Sequence, residues 1–461
     1  MSDRSAARER EQAADELRRF LASHPDIDAV QIFLTDLAGV ARGKNIRRSE
    51  LEALYGPGRN VAGTILGLDI TGEDVEGTGL VWESGDADLL CRPVPGTLLP
   101  APWLAASSAQ LMLSMYQLDG TPAPADPRHA LASAVQRLQQ RGLHPVMACE
   151  IEFYLLREDA QGSLQPAGGG RASERGKIEA YSLTRLDDLA PLFNDLYAAA
   201  QLQQLPAGTL MSEYAPGQFE VTLQHRVDVL RAVDEAVLWK RLVRGVAAKH
   251  GCIATFMAKP FAGRAGSGLH LHLSLNDAAG QNLCAAEDPA GSALLRQAIA
   301  GMQQTMAESL VIFAPNGNSY RRFQSNSYAP VAPTWGVNNR SVSLRIPAGP
   351  PASRHVEHRV AGADANLYLA AAVVLSAAEF GIRAQLDPGE PVSGNGYAQA
   401  AGERALPATW QEALQRARVS TFLREALGER TLAMFLAVKE QECRKFSAQV
   451  TELDYAWYLR A

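Results

Sequence analysis

The segment GSGLHLHLSLN, residues 266–276, places the tightest constraint on the fold. Polar residues alternate with leucines after a glycine turn, and this period of two indicates a β-strand with one buried face. In such a strand, His270 and His272 project from the same face, while Leu271 and Leu273 point into the packing. Two imidazoles on one face suit metal ligation, but hydrogen-bonded histidines on a half-exposed sheet show the same pattern. Neighbouring residues have to distinguish the two interpretations.

Four glutamates occupy positions that fit the metal interpretation. In ACEIEFYLL, Glu150 and Glu152 alternate with apolar residues, so both carboxylates face the same side of a predicted strand. In SEYAPGQFEVTL, Glu213 and Glu220 flank a Pro-Gly turn that brings their chain segments together. Buried carboxylates repel each other unless a cation compensates them, and oxygen donors suit Mg²⁺ or Mn²⁺. Each pair alone is also compatible with a solvated sheet edge.

The region 318–359 is rich in arginine. It contains NSYRRFQ, NNRSVSLRIP and SRHVEHRVAGADAN, with Glu357 and Arg359 two residues apart. Guanidinium groups bind carboxylates and phosphates in a bidentate manner, so arginines beside a metal site indicate an anionic substrate and phosphoryl transfer. Structural salt bridges are the alternative. The sequence contains no GxxxxGK[ST] motif, so any nucleotide site needs another architecture.

Composition restricts the partners and the compartment. The chain has 44 Lys and Arg residues against 50 Asp and Glu residues, a net charge of −6, which argues against nucleic-acid binding and favours small-molecule substrates. Its 5 scattered cysteines form no CxxC pair, which is typical of a reducing cytoplasm. The longest apolar run, 367–378, is too short to cross a membrane, and the charged start of the chain does not resemble a signal peptide.

The hydrophobic pattern predicts two domains. Residues 1 to about 24 read as a charged helix, and the run 28–37 alternates as a strand does. Short strand-like segments continue to about residue 118, which predicts a small β-rich domain at 1–118 and a second domain at 119–461.

A Pro-rich linker joins the two predicted domains. It ends at Asp126, a predicted helix N-cap, and Pro127 at the first helical position, and Gly142 stops the helix. The polar, glycine-rich stretch 157–177 is predicted to be a mobile loop.

These motifs and their order resemble the glutamine synthetase superfamily. The resemblance covers most of the chain, and VQIFLTDLAGVARGKNI and SGDADLLCRPVPGT look like the small N-terminal domain of that family. It implies an α+β fold, with an N-terminal β-grasp domain and a catalytic domain in which helices back a curved antiparallel sheet. It also implies a ring-shaped homo-oligomer, most often a dodecamer, in which neighbouring subunits complete each site.

The resemblance further implies an ATP-dependent ligase with two divalent cations, Mg²⁺ or Mn²⁺. Such an enzyme phosphorylates the γ-carboxylate of glutamate, and an amine then attacks the acyl phosphate. The implied ligands of one metal are Glu152, Glu213 and Glu220, and those of the other are Glu150, His270 and Glu357. The implied nucleotide-binding residues are His272, Ser274, Arg345 and His355. The implied glutamate-binding residues are Gly266, Arg322 and Arg359. Arg340, which stabilises the phosphoryl group in flight, and Arg322 are the implied catalytic residues.

Departures from the family pattern point to the acceptor. Tyr328 stands where ammonium-using members have an acidic residue, Ala265 replaces an asparagine of the glutamate site, and His355 replaces an arginine. Asp69 is a candidate for the N-terminal aspartate of the ammonium site, with loop capping as the alternative. The residues of these motifs are most similar to those of γ-glutamylpolyamine synthetases, in which an amine such as putrescine or spermidine is the acceptor.

An organic amine needs a general base but no fixed ammonium cage. The aromatic rings of Tyr328 or Trp335 are candidates to face a cationic amine in the substrate site, with ordinary packing as the favoured alternative. Two other functions stay open: a glutamine synthetase that uses ammonium, and a non-catalytic member of the superfamily with a structural or sensing role. The six filled ligand positions speak against the second of these.

Overall fold

The computed structural model describes residues 3–168, 178–399 and 405–461. Two separate β-sheets organise these residues, a smaller sheet followed along the chain by a larger one. Helices pack against both, so the predicted α+β class is confirmed.

The first sheet is mixed. Its strands are β1 (Ala29–Thr35), β2 (Ala41–Arg47), β3 (Arg59–Ala62), β4 (Asp88–Pro93), β5 (Leu99–Pro100) and β6 (Ser108–Tyr116). The order is β2-β1-β6-β4-β3, with β5 paired to β6, and the central strands β1 and β6 run parallel. Helices α1 (Asp3–Ser23) and α2 (Leu51–Tyr55) accompany this sheet. Parallel first and last strands at the centre are the arrangement of a β-grasp sheet, as the resemblance implied.

The second sheet has nine strands. They are β7 (His144–Glu158), β8 (Leu164–Pro166), β9 (Ala207–Ser212), β10 (Gln218–Leu223), β11 (Ile253–Thr255), β12 (Leu269–Asn276), β13 (Trp335–Val337), β14 (Leu344–Ile346) and β15 (Val356–His358). The order is β13-β14-β15-β12-β7-β10-β9, with β8 and β11 also paired to β7. All pairs are antiparallel except β13 with β14. The central strands β12, β7 and β10 contain the predicted histidines and three of the glutamates.

Ten further helices complete the described chain. They are α3 (Pro127–Gln140), α4 (Leu183–Asp188), α5 (Ala190–Leu202), α6 (Val229–Lys249), α7 (Ala293–Phe313), α8 (Leu367–Arg383), α9 (Trp410–Val419), α10 (Thr421–Leu427), α11 (Glu429–Ser447) and α12 (Glu452–Tyr458). The apolar run 367–378 forms most of α8 and is buried throughout. Helices α7 and α8 touch at Gly301, where a Cβ would lie 2.1 Å from Ala377 O. Within the described residues, no helix is long and apolar enough to cross a membrane.

The start of α3 connects the two sheets. One carboxylate oxygen of Asp126 caps the helix by accepting the N–H of Arg128 at 3.0 Å, and the other accepts Met115 N–H from β6 at 2.8 Å. Pro127 is the first helical residue and Gly142 has a φ of 73°, so the predicted start and stop are confirmed. A single hydrophobic core includes residues of both sheets, and the domain boundary after residue 118 stays a prediction.

The predicted mobile loop at 157–177 is wrong for its first half. Strand β7 extends to Glu158, and β8 returns alongside it, with Glu158 opposite Leu164. Asp159 stabilises the connecting turn because its Oδ1 accepts the N–H groups of Gln161 and Ser163. The polar composition of this stretch indicated a loop and did not reveal the turn at Asp159. Residues 169–177 lie outside the described residues.

Candidate active site

Adjacent strands bring the predicted acidic residues and histidines together on one face of the second sheet. Glu152 on β7 lies opposite Glu220 on β10, and Glu150 lies opposite His270 on β12. On the other side of β12, His272 lies opposite Glu357 on β15. Direct cross-strand neighbours have Cβ atoms about 4.5–5.5 Å apart, so the sheet register itself assembles the cluster.

His270 is at the centre of the cluster and only 5% exposed. Its Nδ1 lies 3.2 Å from Glu150 Oε2, 3.7 Å from Glu357 Oε1 and 3.9 Å from Glu220 Oε2, and its Nε2 lies 3.8 Å from Glu152 Oε1. Among the described residues, two groups of three have ligand atoms within 4.8 Å of one another: Glu150, Glu220 and His270; and Glu150, His272 and Glu357. This grouping differs from the division into two ligand sets that the resemblance implied, because Glu150 belongs to both groups.

Two carboxyl groups of the cluster have raised pKa values because they are buried beside other carboxylates. Burial and repulsion by Glu150 and Glu152 raise the pKa of Glu220 to about 10, and burial together with Glu152 raises the pKa of Glu213 to about 7. Such shifts mean that the carboxylates are not fully compensated by protein cations. Oxygen donors with excess negative charge fit Mg²⁺ or Mn²⁺, and the imidazole of His270 is compatible with Mn²⁺.

Glu150 and Glu357, also in the cluster, have cationic neighbours. Burial disfavours the charge on Glu150, but hydrogen bonds to His270 and His272 outweigh it and hold the pKa of Glu150 far below its usual range. Burial also opposes the charge on Glu357, yet Arg359, the two histidines and Arg345 lower its pKa to about 2. Arg345 Nη1 donates to Glu357 Oε2 at 2.8 Å, and Arg359 donates to the other oxygen.

The glycine turn before β12 makes room for Arg322. A Cβ on Gly266 would lie 2.8 Å from Arg322 Cγ, and a Cβ on Gly268 would lie 2.8 Å from Arg322 Nη2. The N–H of Gly268 also donates to Glu152 Oε2 at 2.7 Å. The buried Arg322 donates to the carbonyl oxygens of Val360 and Arg359 at 2.8 and 3.3 Å. The turn therefore positions a guanidinium group beside the acidic cluster.

A cavity of about 590 Å³ opens in front of this cluster. Its lining includes Glu152, Glu213, Glu220, Gly266, His270, Arg322, Tyr328, Arg340 and Arg359. Arg340 is exposed and forms no ion pair with a described residue, so its charge is available to an anion in the cavity. Concave volume, acidic ligands and free cationic groups together describe a site for anionic substrates.

The implied nucleotide residues lie elsewhere around the cluster. His272, Ser274, Arg345 and His355 are absent from the described lining of this cavity. His355 Nδ1 lies 2.7 Å from Ser353 O, which only accepts, so His355 Nε2 accepts from His272 Nδ1 at 3.0 Å. His272 Nε2 in turn lies 3.3 Å from Glu150 Oε1. His272 and His355 therefore continue the polar contacts from Glu150 to a part of the site that does not line this cavity.

Two departures from the family pattern, Tyr328 and Ala265, now have a structural context, as does the aromatic candidate Trp335. Tyr328 is 62% exposed, has a φ of 60° and lines the cavity, whereas Trp335 is 2% exposed and donates to Gly389 O at 3.1 Å. Of the two alternatives for Trp335, the structure agrees with ordinary packing, because strand β13 turns the ring into the core. Ala265 also lines the cavity, and its carbonyl accepts the hydroxyl of Tyr154 at 2.7 Å.

Asp69 caps its own loop. Its Oδ1 accepts hydrogen bonds from the backbone of Thr71 and Glu73, and its Oδ2 accepts from Gln441 and Lys445 on α11. Both oxygens are therefore occupied within the chain, as in the capping alternative.

Two cavity residues were missed in the sequence. Gln218 Nε2 donates to Glu152 Oε2 at 3.1 Å and to Gly266 O at 3.0 Å. It lies two residues before Glu220 on β10, so strand alternation already placed it on the acidic face. Lys259 lines the cavity while donating to Arg264 O, and no periodicity marks it.

The mainly antiparallel second sheet gathers carboxylates and histidines that could hold metal ions, beside guanidinium groups that suit anionic substrates, which is an arrangement of the enzyme class. Residues 124–458 match the family model described as the glutamine synthetase catalytic domain. The chain is 41% identical over 448 residues to the γ-glutamylputrescine synthetase PuuA of Escherichia coli (strain K12), covering 96% of this chain and 94% of that protein. It is 30% identical to a glutamate–isopropylamine ligase of a Pseudomonas species, covering 96% of this chain and 97% of that protein.

Similarity extends to solved structures. A structure described as a GmaS/ADP complex superposes with a TM-score of 0.84 at 27% identity, covering 96% of this chain and 99% of that one. The chain belongs to the glutamine synthetase family. It is an ATP-dependent carbon–nitrogen ligase.

Proposed function

We propose that the enzyme joins the γ-carboxylate of glutamate to the amino group of a small organic amine, with γ-glutamyl phosphate as the intermediate. The observation that carries the proposal is Tyr328 at the mouth of the cavity, where ammonium-using relatives have an acidic residue. An aromatic ring offers its face to an alkylammonium ion and apolar surface to the carbon chain of that ion. The relatives named for putrescine and isopropylamine support the same class of acceptor.

The residues that line the cavity take the following proposed roles. Arg322, Arg359 and Gly266 hold glutamate beside the acidic cluster, and Arg340 stabilises the phosphoryl group as it moves. The acidic residues and His270 hold two divalent cations, which neutralise charge on that group when bound. The proposed ligand sets are Glu152, Glu213 and Glu220 for one cation and Glu150, His270 and Glu357 for the other.

ATP is proposed to lie on the far side of the cluster from glutamate. His272, Ser274, Arg345 and His355 are the proposed contacts, and the solved relative with ADP supports a nucleotide site in this fold. His355 is held by Ser353 and is neutral near pH 7, because burial and the adjacent His272 lower its pKa. Arg354 does not substitute for the missing arginine, because its side chain is buried and donates to Gly349 O.

The amine must lose a proton before it attacks. Glu213 lines the cavity, and a bound cation would keep its carboxylate ionised. The proposed proton acceptor is this carboxylate or a water beside it. Tyr328 is proposed to orient the amine through the face of its ring.

We also propose a homo-oligomeric ring, with a dodecamer as the expected form, in the cytoplasm. Large apolar side chains such as Trp82 (77% exposed) and Trp457 (64% exposed) support a further protein surface covering them. The five cysteines are free and buried, which fits a reducing compartment. Light scattering on the purified enzyme measures the subunit number directly.

ADP release tests the proposed acceptor. Purified enzyme receives ATP, Mg²⁺ and glutamate, together with ammonium, isopropylamine, putrescine or spermidine at matched concentrations. We expect kcat/KM for at least one organic amine to exceed that for ammonium by a wide margin. Equal or better turnover with ammonium would assign the enzyme to the glutamine synthetases, and silence with every acceptor would favour the non-catalytic alternative.

A further inference from the structure

A second cavity, of about 540 Å³, lies between strand β1 of the first sheet and helix α6. Helix α6 contributes Lys240, Arg241 and Arg244 to its lining, and no aspartate or glutamate of the described residues lines it. None of its lining residues also lines the active-site cavity. It is therefore a separate cavity with a positive charge.

The cations of this cavity have only neutral partners. Lys240 Nζ donates to Ala363 O at 2.7 Å, and Arg241 Nε donates to Gln110 Oε1 at 2.7 Å. Arg244 forms no hydrogen bond with a described residue, and its guanidinium lies 4.9 Å from the centre of the Phe256 ring. Arg241 is half-buried, and burial lowers its pKa, which reflects the cost of its charge, whereas Arg244 is exposed and its guanidinium is open to a partner. An anion in the cavity would pair with these guanidinium groups.

A buried hydroxyl gives independent support. Thr35 lines the cavity, is 6% exposed, and its Oγ1 has no hydrogen-bond partner among the described residues. Buried hydroxyl groups are almost always hydrogen-bonded, so this one marks a missing partner in the same cavity as the unpaired guanidinium of Arg244.

The remaining wall is apolar. Trp103, Leu104, Val237 and Leu367 line it. Trp103 packs directly on Gly245, where a Cβ would lie 2.1 Å from Trp103 Cδ1. An inorganic ion would leave this wall in contact with water, whereas a ligand with an aliphatic chain would cover it.

We propose that this cavity binds a small organic carboxylate. The carboxylate pairs with Arg244 and reaches toward Arg241, and the aliphatic chain lies against Trp103 and Val237. Because the cavity is lined by β1 on one side and α6 on the other, the ligand would also strengthen the contact between these two elements. The inference does not depend on which amine the active site uses.

Titration calorimetry with hexanoate tests the proposal on the intact enzyme. The variant Arg244→Gln removes the unpaired cation, and Lys249→Gln removes one charge from the exposed end of the same helix as a matched control. We expect hexanoate to bind the wild type and the control alike, and Arg244→Gln to bind about tenfold or more weakly, since a hydrogen bond to a charged group is lost. We expect 1-hexanol and inorganic phosphate to bind more weakly than hexanoate.

Three results would overturn the proposal. These are no binding of hexanoate to the wild type, equal binding by Arg244→Gln, and phosphate binding as tight as that of hexanoate. ADP release with the preferred amine serves as the folding control, because Arg244 lies outside the active-site cavity and its substitution should leave turnover unchanged. Hexanoate that binds only in the active site would be unaffected by Arg244→Gln, which separates failure of this inference from failure of the proposed function.

Discussion

Replacing Glu220 by Gln should stabilise the metal-free enzyme and weaken its response to metal. Glu220 is 6% exposed, and its pKa is raised from 4.5 to about 10 by burial and by neighbouring carboxylates. A carboxyl with a raised folded pKa contributes stability below its unfolded pKa, and that contribution is lost as the pH rises toward the folded value. Between the ordinary value of 4.5 and pH 7 the loss is about 3 kcal/mol, at about 1.4 kcal/mol per pH unit.

Glutamine keeps the shape of the side chain and does not titrate, so the variant should avoid this loss. In EDTA, the denaturation midpoint of the wild type should fall between pH 5 and pH 8 more steeply than that of Glu220→Gln. Adding Mg²⁺ or Mn²⁺ should then stabilise the wild type more than the variant. Glu379→Gln is the control, because this buried glutamate pairs with Arg137 and Arg141 and its neutralisation should destabilise the fold.

The account of Glu220 fails on either of two observations. One is a metal-free Glu220→Gln variant that is less stable than the wild type at pH 8. The other is an equal gain from Mg²⁺ in both proteins, since that would mean that Glu220 takes no part in holding the cation.

Three further substitutions test the site. Gly268→Ala places a Cβ 2.8 Å from Arg322 Nη2, so KM for glutamate should rise about tenfold, whereas Gly263→Ala, with no atom within 4 Å of its Cβ, should leave it unchanged. Glu152→Ala should abolish ADP release without changing the circular dichroism spectrum, and retained turnover would exclude it as a metal ligand. Tyr328→Asp should raise turnover with ammonium relative to that with amines, because aspartate tolerates the positive φ of this position and restores an acidic group; an unchanged ratio would show that Tyr328 does not select the acceptor.

Local patterns predicted the parts of the site, and the fold determined their neighbours. Alternation on β12 placed His270 and His272 on one face, and alternation on β7 did the same for Glu150 and Glu152. The pairing of β12 with β7, which makes Glu150 face His270, depends on contacts between segments more than a hundred residues apart. A period of two cannot supply that partner, and only the resemblance to a family suggested it.

Two outcomes have a common physical origin. Residue type left Trp335 open between a substrate contact and ordinary packing, and the pairing of β13 with β14 sets the direction of its ring. The stretch 157–166 was expected to be a loop on the basis of polarity, but backbone pairing with β7 and the turn at Asp159 hold it. In both cases tertiary contacts decided what composition could not.

The acceptor is tested most directly by competition in one vessel. The enzyme receives ATP, Mg²⁺ and glutamate with equimolar putrescine and ¹⁵N-ammonium, and mass spectrometry measures the ratio of γ-glutamylputrescine to labelled glutamine. The account predicts that the γ-glutamyl amide of the organic amine dominates, since Tyr328 replaces the acidic group that ammonium needs. Labelled glutamine as the main product would contradict it.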